Sequence, residues 1–560
     1  MKKIMVLLLL SSSLGTQAQS TQAQSTQNLF LLGKIWGLVK YFHPALATGR
    51  IDWDEELIRI LPTYPFLPKK TLNDSLLAWI GKLGPIPTCP ACSDTLLQGA
   101  RQKPDFSWIT HNNGLSSALQ KKLLFLIHNR NITEQYYLQF ISEDGITLPL
   151  SQHEKPYPQI TYPDNTIGLV CLFRFWNAIE YWYPYKYGLP LPWDEVLKKF
   201  IPRMQKEQTR QQYNRDVQEM LAAIEDSHGW IQWPPSADVE GKYILPLTVK
   251  YVGRRWVITS LLNDSLKENI QPGDLLDSID GTALNTLAEE LIPLTPSSNP
   301  ASGMNKLSFR ITHTHNPKSR LAITRQDNHP ASLLVPNKIP NFFLPPDLTP
   351  PYFSYAKDSA FCLLDGDIGY INMGKLKRAD SLKFTALIAR TKGLIIDTRQ
   401  NQDESNGTGA GDLIGRLILP PAHDFMRFSS AARTYPGVYR LTPPSDAEFP
   451  AGVDFYPNKI AILINENSMS VGEFLAMAYK KAPKAQLIGT PTSGADGNVT
   501  YMTLPGAAII QFTGLGVYHA DGSETQRTGI HPDITVPQTL HGYQTQKDEQ
   551  LDKALEWLQQ

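Results

Sequence analysis

Apolar residues recur at helical spacing through the first part of the chain and at strand spacing after it. The first part contains a repeat. Trp36-Gly-Leu-Val-Lys-Tyr-Phe-His-Pro44 is followed by Trp53-Asp-Glu55 and Pro62. Trp176-Asn-Ala-Ile-Glu-Tyr-Trp-Tyr-Pro184 is followed by Trp193-Asp-Glu195 and Pro202, each residue 140 positions after its counterpart with no gap. Each copy predicts an apolar helix ended by its proline, a loop, and a second helix opening at Trp-Asp-Glu. Val217, Met220, Leu221 and Ile224 predict a further helix, with Gly229 placed to stop it. From about Tyr243 the pattern becomes that of strands. Val257–Leu262 predicts one strand, and Asp280-Gly281 a hairpin turn. Buried strands are predicted at Ile368–Met373, Gly393–Asp397, Lys459–Ile464 and Gln486–Gly489, alternating with helices as in an α/β domain. Leu551, Ala554, Leu555 and Leu558 predict a closing amphipathic helix, and Pro336–Pro351 an extended linker.

Composition narrows the class. At 560 residues the chain needs several cores, roughly three or four domains. Lys+Arg and Asp+Glu both number 53, so no net charge favours nucleic acid or an anionic membrane as partner. Lys2 and Lys3, the apolar run Ile4–Leu10 and the small polar stretch Ser11–Ala18 read as a cleaved export signal, the run being too short to span a bilayer. Thr16–Ser20 is repeated as Thr21–Ser25 and predicts a disordered polar leader. Cys89-Pro-Ala-Cys92 supplies only half a zinc site, so in an oxidising compartment a local disulfide is expected and no metal. Cys171 and Cys362 sit in apolar runs and are expected as buried thiols.

Ser470 is the centre of the chemistry. It follows the strand ending at Ile464 through Asn465-Glu-Asn-Ser-Met469 and precedes a helix carrying Phe474, Leu475 and Ala478. A serine at such a turn exposes its hydroxyl where helix-terminal N–H groups face an oxyanion. The same residues, Ser470-Val-Gly-Glu473, also satisfy the pattern of a capping box, which carries no chemistry.

The stretch from Lys459 to Val536 resembles the C-terminal-processing (tail-specific, tricorn-core) serine peptidase family. The resemblance rests on Asn465–Glu473, Ile488-Gly-Thr-Pro-Thr-Ser-Gly-Ala-Asp-Gly-Asn498, Gly514–Tyr518 and Asp521–Asp533. Ile270-Gln-Pro-Gly-Asp-Leu-Leu-Asp-Ser-Ile-Asp-Gly281 looks like part of a PDZ domain, and the doubled N-terminal unit resembles that of exported Bacteroidetes-type members. The resemblance implies an α/β multidomain chain: an α-helical duplicated region, a PDZ-like β domain and an α/β crotonase-like serine peptidase core. The expected boundaries are a signal peptide at 1–20, an N-terminal domain with the first repeat at 21–160, and the second repeat and cap at 161–242. A PDZ-like domain at 243–335, a Pro-rich linker at 336–352 and the catalytic domain at 353–560 complete it. Ser470 takes the place of the family nucleophile. The lysine that serves many members as base is replaced by Ala495, whereas Asp226-Ser227-His228-Gly229 matches the tricorn pattern and makes His228 the expected base. Taken without the resemblance, His228 reads first as a histidine at a helix C-terminus, favoured there by the helix dipole. Ser227 or Gln526 is expected to orient the imidazole, with Glu524 two residues before Gln526. Val471 N–H is the expected constant oxyanion donor, with Gln400 or Asn401 adding one from a loop that lacks the family's glycines.

The reading is thus an exported, periplasmic or cell-surface serine endopeptidase acting on peptides or proteins through an acyl-enzyme, with no cofactor and no transmembrane segment. Two others stand beside it. One is a catalytically inactive relative that binds peptides; the other is a sugar-binding or sugar-hydrolysing protein using the clustered Trp and Tyr.

Overall fold

Helices α1 (Lys2–Phe42) and α2 (Trp53–Ile60) return at the offset of the repeat as α3 (Thr166–Trp182) and α4 (Trp193–Met204), with short 3-10 turns at Leu46–Thr48 and Lys186–Gly188 between them. The computed structural model describes residues 2–560 except 112, 144–145, 160–164, 207–208, 235–238, 240, 339–359, 401–403, 448 and 453. Within each copy two indoles donate to each other's backbone. Trp36 and Trp53 bond each other's carbonyl oxygens at 3.1 and 3.0 Å, Trp176 and Trp193 at 2.8 and 2.9 Å. Between copies the pairing is reciprocal: Lys34 meets Asp194 at 2.7 Å, and its counterpart Arg174 meets Asp54. The two long helices touch closely enough that a Cβ on Gly37 would overlap the Asn177 side chain. Asn177 in turn donates to Gly33 O at 3.0 Å. Lys40, Asp54, Glu154 and Arg174 form one buried ionic cluster across this contact. Such a group holds because each charge is desolvated only alongside its partners.

Two sequence expectations fail here. Thr16–Ser25, expected as a disordered leader, continues α1, since no proline interrupts its Gln, Ala, Ser and Thr residues. The helix expected to run to Gly229 is α5 (Arg210–Ala222), opened by a Thr209/Gln212 capping box. It stops well short of Gly229, and Glu225 at φ 47° turns the chain away. His228 therefore lies in a turn rather than at a helix end, and strand β1 (Trp230–Gln232) follows it. Cys89 and Cys92 are disulfide-bonded, while Cys171 is a buried free thiol and Cys362 only half-buried. Among the described residues no helix is long and apolar enough to cross a membrane.

The middle of the chain forms an antiparallel sheet of β2 (Leu247–Val252), β3 (Arg255–Leu261), β4 (Leu275–Ile279), β5 (Lys318–Thr324) and β6 (Pro330–Pro336). The order is β6-β5-β4-β3-β2, leaving β2 at an edge, with the short strand Thr282–Ala283 beside β4. Asp280 and Gly281, at φ 50° and 86°, make the tight hairpin there. Helices α6 (Leu284–Leu291) and α7 (Pro300–Arg310) belong to this unit, and their Leu284, Ala288 and Leu307 join Val249, Ile258 and Leu321 in its core. Of the expected linker, residues 339–352 lie outside the described residues.

The last third is built on β7 (Phe361–Leu364), β8 (Ile368–Asn372), β9 (Gly393–Asp397), β10 (Lys459–Ile464), β11 (Ala485–Gly489) and β14 (Ile534–Thr535), in that spatial order. All neighbours are parallel except β7 with β8. Both faces are covered, as a parallel sheet requires. Ile460, Ile462 and Ile464 pack with Leu475 and Tyr479 of α8 (Val471–Tyr479). Ala461 and Leu463, pointing the other way, pack with Leu551 and Ala554 of α9 (Glu549–Gln559). A separate small sheet joins β12 (Val499–Leu504), β13 (Ala508–Thr513) and β1. The chain is therefore a mixed α/β multidomain fold.

Candidate active site

Ser470 sits at the elbow between β10 and α8, as its flanking pattern predicts. Its φ of 54° and ψ of −118° are strained for a residue with a side chain. Neighbouring bonds hold it there. Ser470 N donates to Ala495 O at 2.9 Å, and Ser470 O accepts from Glu473 N and Phe474 N. The hydroxyl caps nothing. Glu473 is buried, accepting from Gly494 N and Ala495 N at 2.9 Å each and from the Thr492 hydroxyl. The capping-box alternative fails on the serine side, since the Ser470 hydroxyl caps nothing; the Glu473 carboxyl still senses the Ser470 backbone N–H, but its hydrogen bonds go to the turn 492–495. Burial pushes the Glu473 carboxyl up to about 7 against these bonds, which favour its charge.

The same turn also bonds the residue before His228. Ser493 N donates to Ser468 O at 2.9 Å, and the Ser227 hydroxyl donates to Ser493 O at 3.0 Å. His228 is buried, and its Nε2 has no hydrogen-bond partner, so no bond joins it to Ser470 here. Its Nδ1 meets Thr513 Oγ1 at 2.9 Å. Loss of hydration holds the imidazole below its usual pKa; Asp226 works against that shift, and Lys306 adds to it. Lys306 is itself buried and pushed down to about 8 by desolvation, and it donates to Gly229 O and Pro296 O at 3.1 and 2.9 Å.

The two residues expected to orient the ring do something else. Ser227 Oγ contacts Ser302 Oγ at 2.8 Å and bonds Ser298 N, well occupied without the imidazole. Gln526 Nε2 reaches Asp226 Oδ1 and Ser298 Oγ, both at 3.3 Å. Glu524 pairs at the surface with Arg101 and Tyr187. The ring's partner, Thr513, is missing from the sequence reading. Only the pairing of β13 with β1 brings it near, and that pairing joins residues some 280 positions apart. Asp226 carried a fainter signal: an aspartate two residues ahead can accept its neighbour's N–H, as it does from His228 N at 3.0 Å.

On the oxyanion side, Val471 opens α8, where the first N–H groups have no partner within the helix. The loop after β9 is fixed by Arg399, whose buried guanidinium joins Asp397 and Asp548 at 2.7 and 2.8 Å. Gln400 follows, its side-chain oxygen accepting from Asn372 at 3.0 Å, while Asn401 lies outside the described residues. The middle sheet is latched to the nucleophile turn: Lys250 of β2 meets Glu466 at 2.8 Å, and Asn305 of α7 donates to Asn467 at 2.5 Å. A cavity of about 460 Å³ lies between β2, α7 and Trp230, and runs up to Gly229 and Asn467. Among the described residues no cluster could hold a metal ion.

The model of Peptidase family S41 matches residues 367–536. Tricorn protease of Thermoplasma acidophilum is 25% identical over 198 residues, 34% of this chain and 17% of that protein. A protein of Chlamydia trachomatis is 30% identical over 89 residues, 15% of each chain. The matched stretches thus span about a sixth of these curated relatives. In fold, mature CPAF is similar at a TM-score of 0.53 and 14% identity, over 70% of this chain and 96% of that one. The strand–elbow–helix around Ser470 and the parallel strands β8–β11 and β14 lie inside the matched segment, and residues 367–536 form a domain of Peptidase family S41.

Proposed function

We propose that this chain is an exported serine endopeptidase of the C-terminal-processing type, acting on peptides or proteins. The observation that carries the reading is Ser470 itself: a strained serine at a strand-to-helix elbow, with a hydroxyl that caps nothing. In this reading Ser470 Oγ attacks the scissile carbonyl while His228 Nε2 takes its proton. The Val471 N–H, with one from the Gln400 loop, receives the oxyanion. His228 then returns the proton to the leaving amine, and water resolves the acyl-enzyme by the same route. The lowered imidazole pKa favours the neutral form such a base needs at neutral pH. The middle unit acts as a PDZ-like module, with β2 as the edge strand to which an extended peptide adds beside α7. The Cys89–Cys92 bridge and the Lys2–Lys3 leader support an oxidising compartment outside the cytoplasm.

The unmade bond between His228 and Ser470 favours a second reading, an inactive relative that only binds peptides. A fluorophosphonate separates the two. Stoichiometric labelling of the wild type and none of Ser470→Ala, at an unchanged melting temperature, fits the peptidase. An unlabelled wild type, or equal labelling of the variant, removes Ser470 as nucleophile.

A further inference from the structure

Two buried groups behind His228, Thr513 and Asp226, form a chain that the expected third members do not explain. Thr513 Oγ1 lies 2.9 Å from His228 Nδ1 and donates to Asp226 Oδ1 at 3.0 Å. Asp226 Oδ2 accepts Thr513 N at 2.7 Å, and Oδ1 accepts His228 N at 3.0 Å. Aspartate and threonine are both fully buried. The arrangement is rigid because the β1–β13 register pairs Gln511 with Trp230, and two further steps bring Thr513 opposite His228. Gln511 Nε2 also donates to His228 O at 3.2 Å.

Counting protons fixes the tautomer. A threonine hydroxyl has one proton to give. Both Asp226 oxygens already accept backbone N–H groups, so the carboxylate is the acceptor, and the hydroxyl proton goes to it. Thr513 Oγ1 can then only accept from the ring, which makes Nδ1 the protonated nitrogen. Nε2 is left with its lone pair, buried and without a partner. That is the form a general base needs.

We infer that Thr513 and Asp226 are positioning residues that set the Nδ1–H tautomer and the orientation of His228, with Gln526 supporting Asp226 from behind. This extends the proposed Ser470–His228 chemistry and rests on it. An amide at position 226 cannot replace the carboxylate, because whichever way it turns its NH2 faces a backbone N–H.

The test is the rate of fluorophosphonate labelling of Ser470 in the full chain, with melting temperature as control and ¹⁵N-histidine spectra as an independent readout. Thr513→Val is expected to slow labelling about 100-fold, within the usual range for general-base assistance. Thr513→Ser, which keeps the hydroxyl, is expected to stay within about threefold of wild type by the same argument. The wild-type His228 signal is expected to show protonated Nδ1 and bare Nε2, and Thr513→Val to lose that preference. A Thr513→Val protein labelled at the wild-type rate, while His228→Ala is dead, overturns the inference and leaves the dyad standing. Full labelling of His228→Ala removes the dyad and the inference together. If Thr513→Val fails to fold, the wild-type spectrum and Thr513→Ser still decide: an Nε2–H tautomer, or failure of the serine to sustain labelling in a folded protein, overturns it.

Discussion

Replacing Glu473 by alanine tests why this motif ends in a glutamate. Its carboxyl holds two backbone donors, Gly494 N and Ala495 N, both buried with it. Gly494 is at φ 71°, so the turn is held in a conformation that side chains avoid. Leaving each buried N–H unpaired costs about 1–3 kcal/mol, which places Glu473→Ala at about 2–6 kcal/mol before any cavity. The loss should depend on pH. Burial raises the folded-state pKa from 4.5 to about 7, so the folded protein keeps a proton that the unfolded chain releases. The stability this group contributes is full below about 4.5 and is lost as pH climbs through about 7. Alanine does not titrate. The destabilisation should therefore shrink by about 2–3 kcal/mol between pH 5 and pH 8. Urea-dependent hydrogen exchange of core-sheet peptides measures it at both pH values. Labelling of Ser470 should fall as well, since Ala495 O is the acceptor for Ser470 N. A penalty that stays constant or grows from pH 5 to pH 8 would refute the electrostatic part. An unchanged exchange rate at residues 492–495 would refute the clamp.

Two more outcomes follow from the same geometry. Desolvation holds the His228 pKa below its usual 6.5, so the acid limb of the labelling rate should have its midpoint below that value; a midpoint above it would count against His228 as the base. Arg174→Met leaves Lys40 alone to balance Asp54 and Glu154 in the interface of the repeats, and should cost about 3–5 kcal/mol, as breaking buried ion pairs does. Thermal melting checks this, and a shift no larger than that of an exposed Arg59→Met control would show the cluster to be hydrated.

The sequence by itself determined whatever depends on neighbours along the chain. The parallel strands were legible because buried Ile, Leu and Val runs form them with little choice of conformation, and β10 matches its expected span residue for residue. The repeat was legible because the same anchors must fill the same contacts, although the reciprocal ion pairs between copies were not. Ser470 could be located, since a strand, a turn and a helix surround it within a few residues. Its role could not be settled there: Ser470-Val-Gly-Glu473 taken alone reads as a cap, and only the fold leaves the Ser470 hydroxyl out of that cap and bonds Glu473 to the turn 492–495. His228 was a candidate from Asp-Ser-His, yet its orienting partner was invisible. Thr513 lies in an unremarkable strand, and nothing local distinguishes it from the other threonines of that region. Hydrogen bonds between residues hundreds of positions apart are set by strand register and sheet order, which the packing of the whole chain decides. Short-range pattern fixes which residues can do chemistry, and tertiary structure chooses which of them meet.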